Sequence, residues 1–237
     1  MNLVVITAGK RPMLLAQTLR TMVANAVDWK AHRLAVVYDS NDDPRIPNAA
    51  MMGLEGTRVI SSCGSGWGAC VARNVGAELH NDARQKYLTI SDDDVYYLPG
   101  WDKKISDALD AVEAFRDAGT VLSAVSHPFN LGYGRYIVDG QQIEAASVLS
   151  ATNMAMPWRI WDTVGGFRGP GGAHSSDDVE WCNRARDFGF GFATLCPNMA
   201  IHCGLHSTSG EELVGADMVM EKNRKLEAMF GVEALYE

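Results

Sequence analysis

The chain has 237 residues, enough for one large domain or two fused halves, and its 47% hydrophobic and 21% charged composition is that of a globular protein with a substantial core. A formal net charge of -8 and a pI near 5.2 argue against a broad basic face for nucleic acid or anionic lipid. No apolar run reaches 18 residues, the N-terminal apolar run is too short for a secretory leader, and five cysteines without a CxxC pair read as reduced, intracellular thiols.

Leu3–Ala8 (LVVITA) reads as a short buried strand. Arg11–Ala26 follows with Pro12 at a helix start and apolar residues at helical spacing. Arg33–Asp39 and Thr57–Ser62 are two more strands, the first ending at Asp39. A glycine-rich turn, Cys63–Cys70, leads into a helix, Ala69–Ala83, and Lys86–Ser91 is a fourth strand. This alternation predicts a mostly parallel, Rossmann-like α/β sheet with helices on both faces. In such sheets ligands sit at the carboxyl ends of the strands, where Asp39, the glycine turn and Asp92–Asp94 all fall.

Trp101–Gly119 is a helix and Thr120–Ser126 a strand. His127–Gln142 reads as irregular, with a hairpin turn at Val138–Gln141, and is a candidate lid. Ala145–Phe167 reads as a strand, a turn at Pro157 and a short helix. Ser175–Gly189 is a helix capped by Ser175 or Ser176, with acids in its first turn. Phe190–Gly204 supplies one or two strands, and Gly210–Gly231 a polar closing helix.

Three consecutive carboxylates at the end of an apolar strand repel one another unless a cation holds them. Asp92 and Asp94, one residue apart, can point to the same side of an extended chain. Oxygen ligands of this kind suit Mg²⁺ or Mn²⁺ shared with substrate phosphates.

The segment Ala72–Ile105 resembles the central block of family 2 glycosyltransferases of the GT-A fold: an Ala-Arg-Asn-x-Gly helix, an apolar strand ending in Asp-x-Asp, then Pro-Gly-Trp. The first strand with its Arg-Pro helix entry, the AVVYD strand, the Val-Gly-Gly-Phe turn, the acidic helix start at Asp177 and the strand ending in His202 resemble that family's further motifs, in the same order. The resemblance implies a metal-dependent, inverting transfer of one sugar from a nucleotide sugar, with a UDP-sugar favoured, to an acceptor hydroxyl. It places Thr7, Arg11, Asp39, Arg73, Asp92 and Asp93 at the donor, and Asp94, His202 and Asp92 at a Mn²⁺ or Mg²⁺ ion. Asp178, with Asp177 beside it, takes the role of catalytic base. Trp158 and Trp181 stand on the acceptor side, since aromatic faces stack on sugars. Residues 1–125 form the donor half and 126–237 the acceptor and catalytic half of one domain. The chain lacks the Gln-x-x-Arg-Trp signature of processive synthases, so single addition is expected. The acceptor is open among a glycan, a lipid-linked glycan, a protein, a small molecule and a hydroxylated base in DNA. A local basic patch of Lys10, Arg11, Arg135 and Arg168 would serve the last. The expected location is the cytoplasm, or a host's cytoplasm if the chain is viral.

Three rival readings follow from the same residues. Gly64, Gly66 and Ala69, after a strand and before a helix, also fit a dinucleotide-binding turn and hence an NAD(P) oxidoreductase. Cys196, His202, Cys203 and His206 permit a zinc cluster. A non-catalytic nucleotide-sugar-binding module would keep the donor residues and dispense with Asp178.

Overall fold

The computed structural model describes residues 2–8, 11–38, 58–61, 68–78, 85–115, 118–125, 132–168 and 177–203. Strand β1 (Asn2–Ala8) lies between β2 (His32–Tyr38) and β4 (Tyr87–Asp92), parallel to both. It is buried on both faces, which is why it reads as an unbroken apolar run. Alternate side chains feed two cores: Val4 and Ile6 join one, Leu3 and Val5 the other. β3 (Arg58–Ser61) adds a parallel strand beyond β2.

The first core lies under α1 (Pro12–Asn25) and α3 (Trp101–Phe115), which contribute Leu15, Leu19, Met22, Trp101, Ile105 and Leu109. The second lies under α2 (Gly68–Glu78), α4 (Trp158–Val164) and α5 (Asp177–Asp187). α2 packs close to β1 because residue 76 is glycine: a Cβ there would stand 2.3 Å from Val5 Cγ1 and 3.0 Å from Val37 Cγ2.

The remaining strands are β5 (Val95–Tyr97), β6 (Thr120–Ser123), β7 (Gly132–Val138), β8 (Gln141–Ala146), β9 (Asn153–Pro157), β10 (Gly191–Leu195) and β11 (Ala200–His202). Among the described residues the main sheet has nine strands in the order β3-β2-β1-β4-β9-β6-β10-β8-β7. Only β8 and β9 run against the others, so the sheet is mostly parallel, as expected. β9 comes from the second half of the chain yet sits between β4 and β6 of the first, so one sheet spans both halves. β5 and β11 form a separate antiparallel pair that sets His202 opposite Val95.

One expectation is corrected. The hairpin turn expected at Val138–Gln141 is present, but the residues before it are a strand rather than irregular: β7 pairs with β8 across Asp139-Gly140, both at positive φ (47° and 75°), the turn chemistry that suits right-twisted strands. Residues 132–146 are therefore part of the main sheet. Residues 127–131 of that stretch, the glycine turn at 63–67, Ser175, Ser176 and the expected closing helix lie outside the described residues.

Gly76→Val forces β-branched methyls into Val5 and should cost about 1–3 kcal/mol as overpacking. Urea unfolding measures it, and Val5→Ala in the same chain should recover part of the loss.

Candidate active site

β1 and β4 end level with one another: Thr7 pairs with Asp92 in register. Asp92 closes β4, and its N–H donates to the Thr152 carbonyl at 3.0 Å. The chain then bends through Asp93 and Asp94 into β5. Thr18 of α1 pins this bend, donating to the Asp93 carbonyl at 2.8 Å and accepting from the Val95 N–H at 3.0 Å.

The crowded carboxylates are separated by two guanidinium groups. Arg11, just before α1, spans the bend: Nη1 bonds Asp94 Oδ2 and Nη2 bonds Asp93 Oδ1. Arg73 of α2 serves Asp92, with Nη2 3.0 Å from Asp92 Oδ1. Its Nη1 lies 3.6 Å from Asp178 Oδ1, and the guanidinium lies over the Phe167 ring at 5.3 Å. One buried cation thus ties the end of β4 to the start of α5.

The β5–β11 pair delivers His202, whose Nε2 is 3.1 Å from Asp94 Oδ2, and the Cys203 N–H donates to the Asp94 carbonyl at 2.8 Å. Burial alone would raise the Asp94 pKa, but His202 and Arg11 outweigh it and hold the carboxyl well below the usual range. Burial alone would lower the His202 pKa, and Asp94 outweighs that to raise it.

Asp178 Oδ2 accepts the Ala151 N–H at 2.9 Å and the Ser150 hydroxyl at 3.4 Å. Burial pushes its pKa up, against the opposing pull of Arg73 and the Ala151 N–H. Asp177 Oδ2 takes the Cys70 thiol, whose pKa burial and that carboxylate push up to about 12. Cys70 and Ser150 were not anticipated. Cys70 lies one helical turn before Arg73, so its spacing carried a signal; Ser150 carried none.

The motif residues around Arg73 support it. Asn74 donates to the Phe167 carbonyl at 2.9 Å and accepts the Phe167 N–H at 2.8 Å. Arg184 bonds the carbonyls of Val164 and Gly166. The Val-Gly-Gly-Phe turn is thereby fixed so that Phe167 backs Arg73.

Among the described residues three buried oxygens at this rim have no hydrogen-bond partner: Thr7 Oγ1, Asp94 Oδ1 and Asp177 Oδ1. Orphaned buried acceptors are rare and point to a missing ligand or ion. Asp94 Oδ1 with the His202 imidazole would suit Mn²⁺ or Mg²⁺ by donor chemistry. Asp92, by contrast, is taken up by Arg73. Among the described residues no three His, Cys, Asp or Glu side chains gather as a ready-made metal site, and the Cys203 thiol donates to the Ile201 carbonyl.

Other predicted residues fare differently. Trp181 is fully buried, its Nε1 donating to the Gly165 carbonyl at 2.8 Å, and Trp158 lies in the same core. Trp181 falls on the buried side of α5 with Cys182 and Ala185, and Trp158 on the buried side of α4 with Ile160 and Trp161. Arg11 pairs with Asp93 and Asp94, while Arg135, on the outermost strand β7, lies 4.0 Å from Glu144 of β8. Asp39, Lys10, Gly64, Gly66 and His206 lie outside the described residues.

Comparison with solved structures settles the fold. A mannosyltransferase from Pyrobaculum calidifontis, PcManGT, solved with GDP-Man and Mn²⁺, superposes at a TM-score of 0.61 with 14% identity over 81% of this chain and 54% of its own. The fold is the GT-A fold. GalNAc-T7, solved with UDP, GalNAc and Mn²⁺, gives 0.65 with 10% identity over 85% of this chain and 43% of its own. S. aureus TarS 1–349 with UDP-GlcNAc gives 0.63 with 15% identity over 99% of this chain and 68% of its own. The chain therefore spans about half the length of PcManGT and less of GalNAc-T7. No protein-family model and no curated protein matches the sequence.

Asn74→Ala removes both partners of the Phe167 backbone and leaves polar groups unpaired, which should cost about 1–3 kcal/mol. Chemical denaturation reads the loss, and a shift of the midpoint with an unchanged slope would confine it to the folded state.

Proposed function

We propose that this chain is a metal-dependent, inverting glycosyltransferase that moves one sugar from a nucleoside-diphosphate sugar to an acceptor hydroxyl. The observation that carries the reading is the pairing of Asp94 and His202, with one carboxylate oxygen left unpartnered, at the carboxyl rim of a GT-A sheet and joined through Asp92 and Arg73 to Asp178. The nucleotide sugars and Mn²⁺ bound by the structural neighbours support the donor class, and family 2 is the assignment the ordered motifs favour.

Asp94 and His202 would hold the ion, which when bound neutralises the charge developing on the departing diphosphate. The chain's own groups do the rest. Thr7 and Asp92 stand where two adjacent strands end and offer polar contacts to the donor. Arg73 keeps Asp178 oriented and ionisable while Phe167 encloses its other side. Asp178 takes the acceptor hydroxyl's proton as the oxygen attacks the anomeric carbon opposite the leaving diphosphate, which inverts that centre. Its raised pKa makes it a better base than an exposed aspartate and requires it to be ionised to act. Residues 1–125 supply the donor side and 126–237 the base and the second metal ligand. A UDP donor is favoured through the expected role of Asp39, and the acceptor is a glycan, a small molecule or a hydroxylated base in DNA. No helix among the described residues is long and apolar enough to cross a membrane, and we place the reaction in the cytoplasm.

The dinucleotide reading is weaker, because its glycine turn follows the third strand rather than the first and the acids beyond it pair with Arg11 and Arg73. Asp178→Asn decides between a transferase and a binding module. It should lower the turnover number about 10²–10⁴-fold while calorimetric binding of nucleotide and Mn²⁺ is kept. Retained turnover would place the base elsewhere. In the unaltered chain activity should fall with acid through a pKa above the ordinary aspartate value, since protonating Asp178 removes the base; an acidic limb at or below that value would contradict the assignment.

A further inference from the structure

Arg11 occupies the position of greatest electrostatic demand without being locked into it. Its guanidinium bridges Asp93 and Asp94, whose side chains are 2% and 3% exposed, yet its own side chain is 24% exposed. Arg73, the other cation of the site, is 9% exposed and backed by Phe167 and by two carboxylates from different elements. One arginine is enclosed and fixed; the other has a free side.

The load on Asp94 is uneven. Oδ2 takes both Arg11 and His202, whereas Oδ1 is buried with no partner. A divalent ion held by Asp94 and His202 would stand beside the Arg11 guanidinium. Two like charges sharing one buried carboxylate repel strongly, because little solvent screens them. The ion and Arg11 cannot both keep full contact with Asp94 at low cost. A diphosphate changes the balance: it brings negative charge that can take the guanidinium in a two-point contact of the kind arginine makes with phosphate.

We propose that Arg11 is a built-in counter-cation that competes with the metal ion for Asp94 and is released onto the donor's diphosphate when ion and nucleotide arrive together. This rests on the metal reading of Asp94 and His202 above. Two consequences follow. The ion alone binds weakly, because it must displace a resident cation. Ion and nucleoside diphosphate bind with positive coupling, because the nucleotide gives Arg11 a new partner.

The test is Mn²⁺ titration of the full chain, followed by the electron paramagnetic resonance signal of free Mn²⁺, without nucleotide and with saturating UDP or GDP. Arg11→Gln should bind Mn²⁺ alone about tenfold more tightly than the unaltered chain. Nucleoside diphosphate should tighten Mn²⁺ about tenfold or more in the unaltered chain and far less in Arg11→Gln. Equal or weaker Mn²⁺ binding by Arg11→Gln, or an unchanged nucleotide effect, overturns the proposal. If loss of the guanidinium leaves the variant unfolded, Mn²⁺ alone should restore it, or raise its melting midpoint by more than it raises that of the unaltered chain; absence of that rescue also overturns it. Asp94→Ala separates the two layers. Mn²⁺ binding that survives this change sinks the metal reading itself. Binding lost in Asp94→Ala but unchanged in Arg11→Gln sinks the role of Arg11 alone.

Discussion

Everything in this site depends on the mutual repulsion of carboxylates at the end of β4. Asp92, Asp93 and Asp94 are consecutive, Asp177 and Asp178 lie across from them, and two guanidiniums and one imidazole are set among the five. Such crowding destabilises a fold unless cations are positioned by it. The architecture supplies that positioning: Arg11 stands at the head of α1, α2 brings Arg73, and the small β5–β11 pair brings His202. The surplus of negative charge that is left suits the divalent ion proposed for the site.

The floor beneath the carboxylates is rigid for a related reason. Tyr97 donates to the Ser91 hydroxyl at 2.8 Å, Asn153 donates to the Tyr97 hydroxyl at 3.1 Å, and Asn153 Oδ1 accepts the Ala124 N–H at 3.0 Å. These groups join β4, β5, β9 and the end of β6 directly behind Asp92. A satisfied polar network in the interior fixes geometry more strictly than apolar packing does. Carboxylates held on such a floor would need little reorganisation in the proposed reaction.

The parallel half of the fold was legible because its strands are buried on both faces and its helices show clear apolar periodicity; β1, β2, β4, α1 and α3 all fall where the pattern put them. The turn of the hairpin was legible at Val138–Gln141, but its first strand was not, because β7 is an edge strand with Tyr133, Tyr136 and Ile137 exposed, so no burial pattern marks it. β5 and β11, at three residues each, are too short to show a period at all. Trp158 and Trp181 pack in the core, which the sequence could not show because an aromatic on a helix has the same signature whether it packs in a core or faces a sugar. The approach of Asp94 to His202 could be expected only through ordered motifs. The bonds from Asp178 to Ser150 and Ala151, and the span of Arg11 over Asp93 and Asp94, are contacts between distant segments that no local pattern records.

The measurement that tests the central claim most directly is pulsed electron paramagnetic resonance of the chain with Mn²⁺ and a nucleoside diphosphate. An ion held by His202 on one side and the diphosphate on the other gives both ¹⁴N and ³¹P couplings, and the ¹⁴N coupling disappears in His202→Ala. A bound ion with neither coupling, or a ¹⁴N coupling that persists without His202, would contradict the account of the site.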